Sequence, residues 1–179
     1  MEPTPDSTAP AAWARTPRIR SLSALQSTFV LSRNHVGRLA FLCGGRLELL
    51  PVHYVFADGR LVGRTSFHGW TSPDDATSEI VFEVDEAPGL FEWRSVIVRG
   101  TMRMITAPPA GADRDAYWSA VVAFRELVPD AFTERDPTPA RRIVFAIEPT
   151  EITGREASMS FFSRPRPATT KERSHGDYL

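Results

Sequence analysis

The stretch Arg46-Leu47-Glu48-Leu49-Leu50-Pro51-Val52-His53-Tyr54-Val55-Phe56-Ala57-Asp58-Gly59-Arg60-Leu61-Val62-Gly63-Arg64-Thr65-Ser66 decides how this chain folds. Two apolar, β-branched runs flank Asp58-Gly59, a dipeptide able to take the positive φ angles of a two-residue turn, and this predicts a β-hairpin. The hairpin ends in Arg64, Thr65 and Ser66. A guanidinium fork beside two hydroxyls suits an anion such as a phosphate. Pro51 has no N–H to give to a ladder, so it implies a break, a bulge or an edge in the first of the two strands. Backbone groups beside it are then free to face a ligand.

Upstream, residues 35–43 are apolar and β-prone, and Gly44-Gly45 supplies a tight turn into the hairpin. This makes three consecutive strands in an antiparallel meander. Before them, Ser21 and Ser23 are candidate caps, and Leu22, Leu25, Phe29 and Val30 recur at helical spacing up to Asn34. A short helix over one end of a barrel fits this pattern.

Downstream, Gly69, Pro73, Asp74 and Asp75 mark residues 67–78 as a loop. Residues 79–85 alternate as a fourth strand, with Ile80, Phe82 and Val84 on one face. Residues 91–105 read as a long fifth strand, with a bend or close approach at Gly100. A helix over 114–128 carries Tyr117, Trp118, Val121, Phe124 and Leu127 as its stripe. Residues 129–139 are irregular, and a last strand over 142–152 stops at Gly154. The fold class is mainly β with flanking helices. Six strands without βαβ alternation predict a closed six-stranded antiparallel barrel, which removes exposed edges.

At 179 residues the chain suits one domain, taken as residues 21–160, between a disordered tail at 1–20 and another at 161–179. A formal charge of −1 leaves no field to hold a polyanion, which argues against nucleic acid as a partner. The single cysteine, Cys43, sits in an apolar run and reads as buried. No apolar stretch is long enough to span a bilayer and the first residues lack the order of a secretory signal, so a soluble cytoplasmic protein is expected. No nucleophile elbow, glycine-rich phosphate loop or metal-ligand spacing appears.

The order of motifs resembles the pyridoxamine 5′-phosphate oxidase-like family of FMN-binding split barrels. The matching residues are Val36-Gly37-Arg38-Leu39-Ala40, then Pro51-Val52-His53-Tyr54, Arg64-Thr65-Ser66 and Val81-Phe82-Glu83-Val84-Asp85. They continue with Trp93-Arg94-Ser95-Val96-Ile97-Val98-Arg99-Gly100 and end at Ile147-Glu148-Pro149-Thr150-Glu151-Ile152-Thr153-Gly154-Arg155. The resemblance implies a homodimer with two flavins, FMN, lodged between the subunits. It implies that backbone groups from Pro51, Val52, His53 and Tyr54 lie against the flavin ring while Arg64, Thr65 and Ser66 contact the phosphate. Trp93 and Ser95 then lie near the cleft, contributed from the partner chain.

Two departures from the family pattern stand out. Many relatives carry Asn where this chain has His53, and relatives commonly place a Lys just after the Arg-Thr-Ser cluster, where this chain reads Phe67-His68-Gly69-Trp70-Thr71. His68 is the replacement donor expected for the phosphate. The implied activity is an FMN-dependent oxidoreductase acting on a small molecule, the cofactor carrying the hydride or electron chemistry. A flavin carrier or sensor without turnover, and a barrel using haem or a deazaflavin, are the alternatives.

Overall fold

A computed structural model of the protein describes residues 15–66, 78–105 and 113–161. Its elements are β1 (Arg15–Ser21), α1 (Ala24–Arg33), β2 (Val36–Cys43), β3 (Arg46–Ala57), β4 (Arg60–Thr65), β5 (Ser78–Gly89), β6 (Glu92–Ile105), α2 (Asp113–Leu127) and β7 (Ile143–Phe161). Strands run in the order β1-β7-β4-β3-β2-β5-β6, and β6 pairs back onto β7. Strands β2 to β7 therefore close the expected antiparallel ring.

The opening hairpin is β3–β4. Asp58 at φ 51° and Gly59 at φ 78° form its turn, and Gly44 and Gly45 (φ 56° and 77°) turn β2 into β3. Alternation then sorts the side chains: Leu39, Phe41, Val52, Tyr54, Leu61, Phe82, Val84, Val96, Val98, Phe145 and Ile147 fill the barrel. Helix α1 closes one end, its Ser23 N-cap forming a capping box with Gln26. Its buried residues are Ser27, Val30 and Leu31, joined by Leu22 from the preceding loop, whereas Leu25 and Phe29 of the expected stripe are exposed. The helix meets the barrel along a narrower seam than the sequence pattern suggested. Tyr54 Oη donates to Leu31 O at 2.8 Å inside this seam and fastens the end of α1 to β3.

Helix α2 lies outside the ring, and Ala120 with Ile105, Val144 and Ala146 forms a second, smaller core beneath it. Val121 and Phe124 of its stripe are buried as expected, but Trp118 and Leu127 are exposed.

Two boundaries differ from the sequence reading. Residues 15–20, expected in a disordered tail, lie in β1, which pairs with β7 over Ser21↔Arg155 to Arg15↔Phe161. Residues 1–14 and 162–179 of the expected tails lie outside the described residues. Gly154 does not end β7, because the strand runs on to Phe161. Gly154 instead admits α1 and the loop before it: a Cβ there would sit 2.5 Å from Ser27 Oγ and 2.9 Å from Leu22 Cδ1, and its carbonyl takes the Leu22 N–H at 2.9 Å.

Gly100 marks a shift of register in the β6–β7 ladder. A Cβ at this position would lie 2.2 Å from the backbone oxygen of Glu148. Backbone cannot swing aside as a side chain can, so Gly100→Ala is expected to destabilise the protein by about 2–3 kcal/mol, the upper end of overpacking penalties. Urea unfolding of the two proteins measures it, and a change below about 0.5 kcal/mol would mean that the ladder adapts freely.

Candidate functional site

Strand β3 carries the candidate site on its outer surface, and its hydrogen-bond phase explains why. Tyr54 N–H donates to His35 O, on the β2 side. Backbone groups alternate sides along a strand, so Val52 and Leu50 also face β2, while Pro51 and His53 face the β4 side. The β3–β4 ladder begins at Ala57↔Arg60 and stops at His53↔Arg64. Residues 46–52 of β3 therefore have one edge unpaired among the described residues. The sequence expectation of an edge at Pro51 holds, and its missing donor removes nothing from the β2 ladder. The open edge presents the backbone of Leu49 and the carbonyl of Pro51.

Side chains of the expected site fall on both sides of this strand. Pro51 is exposed and His53 half-buried, both on the outer face. Val52 and Tyr54 point inward and are fully buried, so those two residues offer a ligand backbone contacts only. Thr65 is buried and Ser66 exposed. His68 lies outside the described residues.

Arg64 departs most from expectation. Alternation puts it on the outer face with Val62 and His53, where α2 and the segment after it cover it, leaving 1% of the residue exposed. Its Nη1 meets Asp136 Oδ2 at 2.6 Å, and its Nη2 donates to Thr138 Oγ1 at 2.6 Å and to Asp136 Oδ1 at 3.3 Å. The guanidinium also lies 5.5 Å from the Phe124 ring and 5.1 Å from that of Phe132. Both terminal nitrogens of the fork are engaged and sealed from solvent, and only the buried Nε has no partner among the described residues. Arg64 is thus a strut between the barrel and the segment at 128–141 rather than an open phosphate fork. Burial alone would raise the Asp136 carboxyl, but the bonds from Arg64 and from the backbone N–H groups of Phe132 and Thr138 outweigh it and hold Asp136 well below the usual carboxylate range.

Beside this pair stands His53. Burial pushes its imidazole below the ordinary value, Arg141 and Arg64 add to the fall, and Asp136 opposes it. His53 is therefore a neutral donor and acceptor at pH 7. Asp136, Thr138 and Arg141 were not picked out from the sequence. Their only signal there is Asp136-Pro137-Thr138-Pro139, where an Asp two residues before a Thr, between prolines, favours a side-chain-to-backbone turn.

Trp93 and Ser95 lie elsewhere on the same outer surface. Both are half-buried on β6, and Ser95 Oγ donates to Glu83 Oε1 at 3.0 Å. The row Pro51↔Arg38↔Glu83↔Ile97 crosses from β3 through β2 and β5 to β6. Three strand spacings amount to about 14 Å along the sheet. Within one chain the two halves of the expected site are separate.

Between them the surface is apolar. Leu42, Leu47 and Leu49 are 70%, 74% and 61% exposed. Leu42 faces Leu47 across the β2–β3 ladder, and Ala40 joins Leu49 to Val81 of β5. A groove of about 470 Å³ runs along this face, bordered by Arg99 and Thr101 of β6. A second groove, of about 890 Å³, lies under α2 between Val55, Val62, Trp118 and Val122, away from His53 and Ser66.

A family model described as pyridoxamine 5′-phosphate oxidase matches residues 25–156. The chain belongs to the pyridoxamine 5′-phosphate oxidase-like family. Solved structures share its split barrel. A FAD-binding protein from Mesorhizobium loti is 27% identical with a TM-score of 0.59, over 78% of this chain and 99% of its own. A putative pyridoxamine 5′-phosphate oxidase from Corynebacterium glutamicum is 21% identical with a TM-score of 0.55, over 82% and 96%. A FAD-binding protein from Mycobacterium smegmatis is 21% identical with a TM-score of 0.53, over 76% and 98%. No curated protein matches at a significant level. Among the described residues of this family member, no helix is long and apolar enough to cross a membrane.

Proposed function

We propose that this protein is a flavin-dependent oxidoreductase that binds FMN in clefts between two copies of the chain and acts on a small molecule. The observation that carries the reading is the coincidence, in a member of this family, of an unpaired β3 edge with an exposed apolar face on β2, β3 and β5. An edge with free backbone groups suits the polar rim of a flat heterocycle. An apolar face of this kind marks an interaction surface. The residues present fit the group in part: Pro51, His53 and Ser66 face outward to receive it, while Arg64 does not.

Bound flavin supplies the hydride or electron transfer. The chain's own part is placement. The backbone of Leu49 and Pro51 borders the ring, and neutral His53 offers one donor and one acceptor at its edge. Trp93 and Ser95, about 14 Å away across the sheet of the same chain, complete a cleft when they come from the partner.

Full-length protein is to be purified and its visible absorbance recorded, then titrated with FMN and, because the Mesorhizobium loti relative is described as FAD-binding, with FAD. The expected result is an oxidised-flavin spectrum, tighter binding of FMN, and bleaching by a reduced nicotinamide under anaerobic conditions. Flavin that binds but resists every donor would make the protein a carrier or sensor. Colourless protein that leaves the fluorescence of both flavins unquenched at tens of micromolar would sink the reading.

A further inference from the structure

Arg64 is closed to ligands, and no lysine stands near it in the sequence: the only lysine of the chain is Lys171, outside the described residues. The positive charge nearest the open end of β4 comes instead from the chain that returns along it. Arg64 pairs with Val144 and Thr65 with Ile143 in the β4–β7 ladder. Continued one step, this register sets Arg142 opposite Ser66, and Arg141 follows one residue further on, close enough for its charge to act on His53. Its position is fixed by the same turn that Arg64 holds, since Arg141 N–H donates to Thr138 O at 3.0 Å. Neighbouring Arg142 is exposed and spends its Nε on Pro139 O at 3.0 Å. Arg141 is half-buried, yet among the described residues no carboxylate or carbonyl engages its guanidinium. The one acid close by, Asp136, is neutralised by Arg64 at 2.6 Å. Beside His53 this leaves Arg141 without an acidic partner among the described residues, on the side of the exposed hydroxyl of Ser66.

We propose that Arg141 is the residue that binds the terminal phosphate of the flavin, with Ser66 and His53 as hydrogen-bonding neighbours. The inference rests on the flavin reading above and adds to it a residue that the Arg64-Thr65-Ser66 motif does not contain. The Arg64–Asp136 pair then has a positioning role, setting the turn from which Arg141 reaches the phosphate.

The test compares FMN with riboflavin, which has the same ring and no phosphate, on full-length wild-type protein, Arg141→Gln and Arg141→Lys. Dissociation constants come from flavin fluorescence quenching. Charge-assisted hydrogen bonds of this kind carry about 1.5–3 kcal/mol, or roughly a 10- to 150-fold change in affinity. Arg141→Gln is expected to weaken FMN by that factor and leave riboflavin unchanged, with most of the FMN affinity kept in Arg141→Lys. Its thermal midpoint is expected to match wild type, because the side chain has no partner to lose among the described residues. Equal losses for both flavins, or no loss for either, would overturn the role of Arg141 while leaving the flavin reading standing. Wild-type protein that binds neither flavin would overturn both.

Discussion

Asp136→Asn is expected to destabilise the protein by about 3–5 kcal/mol, the penalty for leaving one member of a buried ion pair without its counter-charge. The side chains of Arg64 and Asp136 are each only 2% exposed, so water cannot replace the lost carboxylate. Asparagine keeps the shape and one acceptor, and the loss therefore reports charge rather than volume. Denaturant unfolding at neutral pH measures it. Arg64→Met combined with Asp136→Leu should recover much of the loss, since both charges then leave the interior together. The pH dependence has a definite sign. Asp136 is held below its ordinary value of 3.8, so its contribution is complete above that pH and is lost as the pH falls towards the folded value. The gap between wild type and Asp136→Asn should accordingly narrow below about pH 4. A loss under about 1 kcal/mol at neutral pH would show that the pair is relaxed and hydrated in solution.

Leu49→Glu is expected to convert a dimer into monomers and to strip the protein of its flavin. Leu49 lies 61% exposed at the centre of the apolar face, beside the open edge of β3. In the proposed two-copy cleft this substitution puts an unpaired carboxylate in place of an apolar side chain, and it should weaken association by at least about 100-fold, in line with central interface positions. Sedimentation at micromolar protein distinguishes the two masses, and absorbance at the moving boundary shows whether flavin travels with them. Leu90→Glu is the control: Leu90 is 81% exposed but sits in the β5–β6 turn, off this face, and should leave both dimer and flavin intact. A wild-type monomer that carries flavin, or a Leu49→Glu dimer, would refute the two-copy cleft.

Much of the barrel was legible because its signals are local. Asp58-Gly59 and Gly44-Gly45 need nothing beyond their own backbone to form turns, and Ile80, Phe82 and Val84 declare their face by alternation alone. Pro51 could be marked as a break, a bulge or an edge for the same reason, and the ladder that stops at His53 decides for the edge. What escaped depends on partners distant in sequence. Arg64 looks like a surface fork until Asp136, 72 residues later, folds back onto it. Its phase gave a warning, since Val62 and Arg64 share a face and Val62 packs under α2. Residues 15–21 are too polar to announce a strand, and they form one because β7 outruns its barrel partners and offers them an edge. Gly154 read as a stop because glycine usually punctuates, whereas here the empty Cβ position is occupied by Leu22 of another element. Leu25 and Phe29 of the α1 stripe stay exposed for a similar reason, since the helix meets the end of a barrel, where few of its positions find contact.

The placement of Pro51 also bears on how copies of the chain meet one another. An unpaired strand bordered by exposed leucines is the kind of template on which chains stack into fibrils. Growth along β3 would require hydrogen bonds from alternate residues of its open side. At Pro51 that side has no hydrogen to give, and the ring stands in the path of an incoming strand. The protein can thus leave one side of β3 open while denying that edge to endless copies of itself.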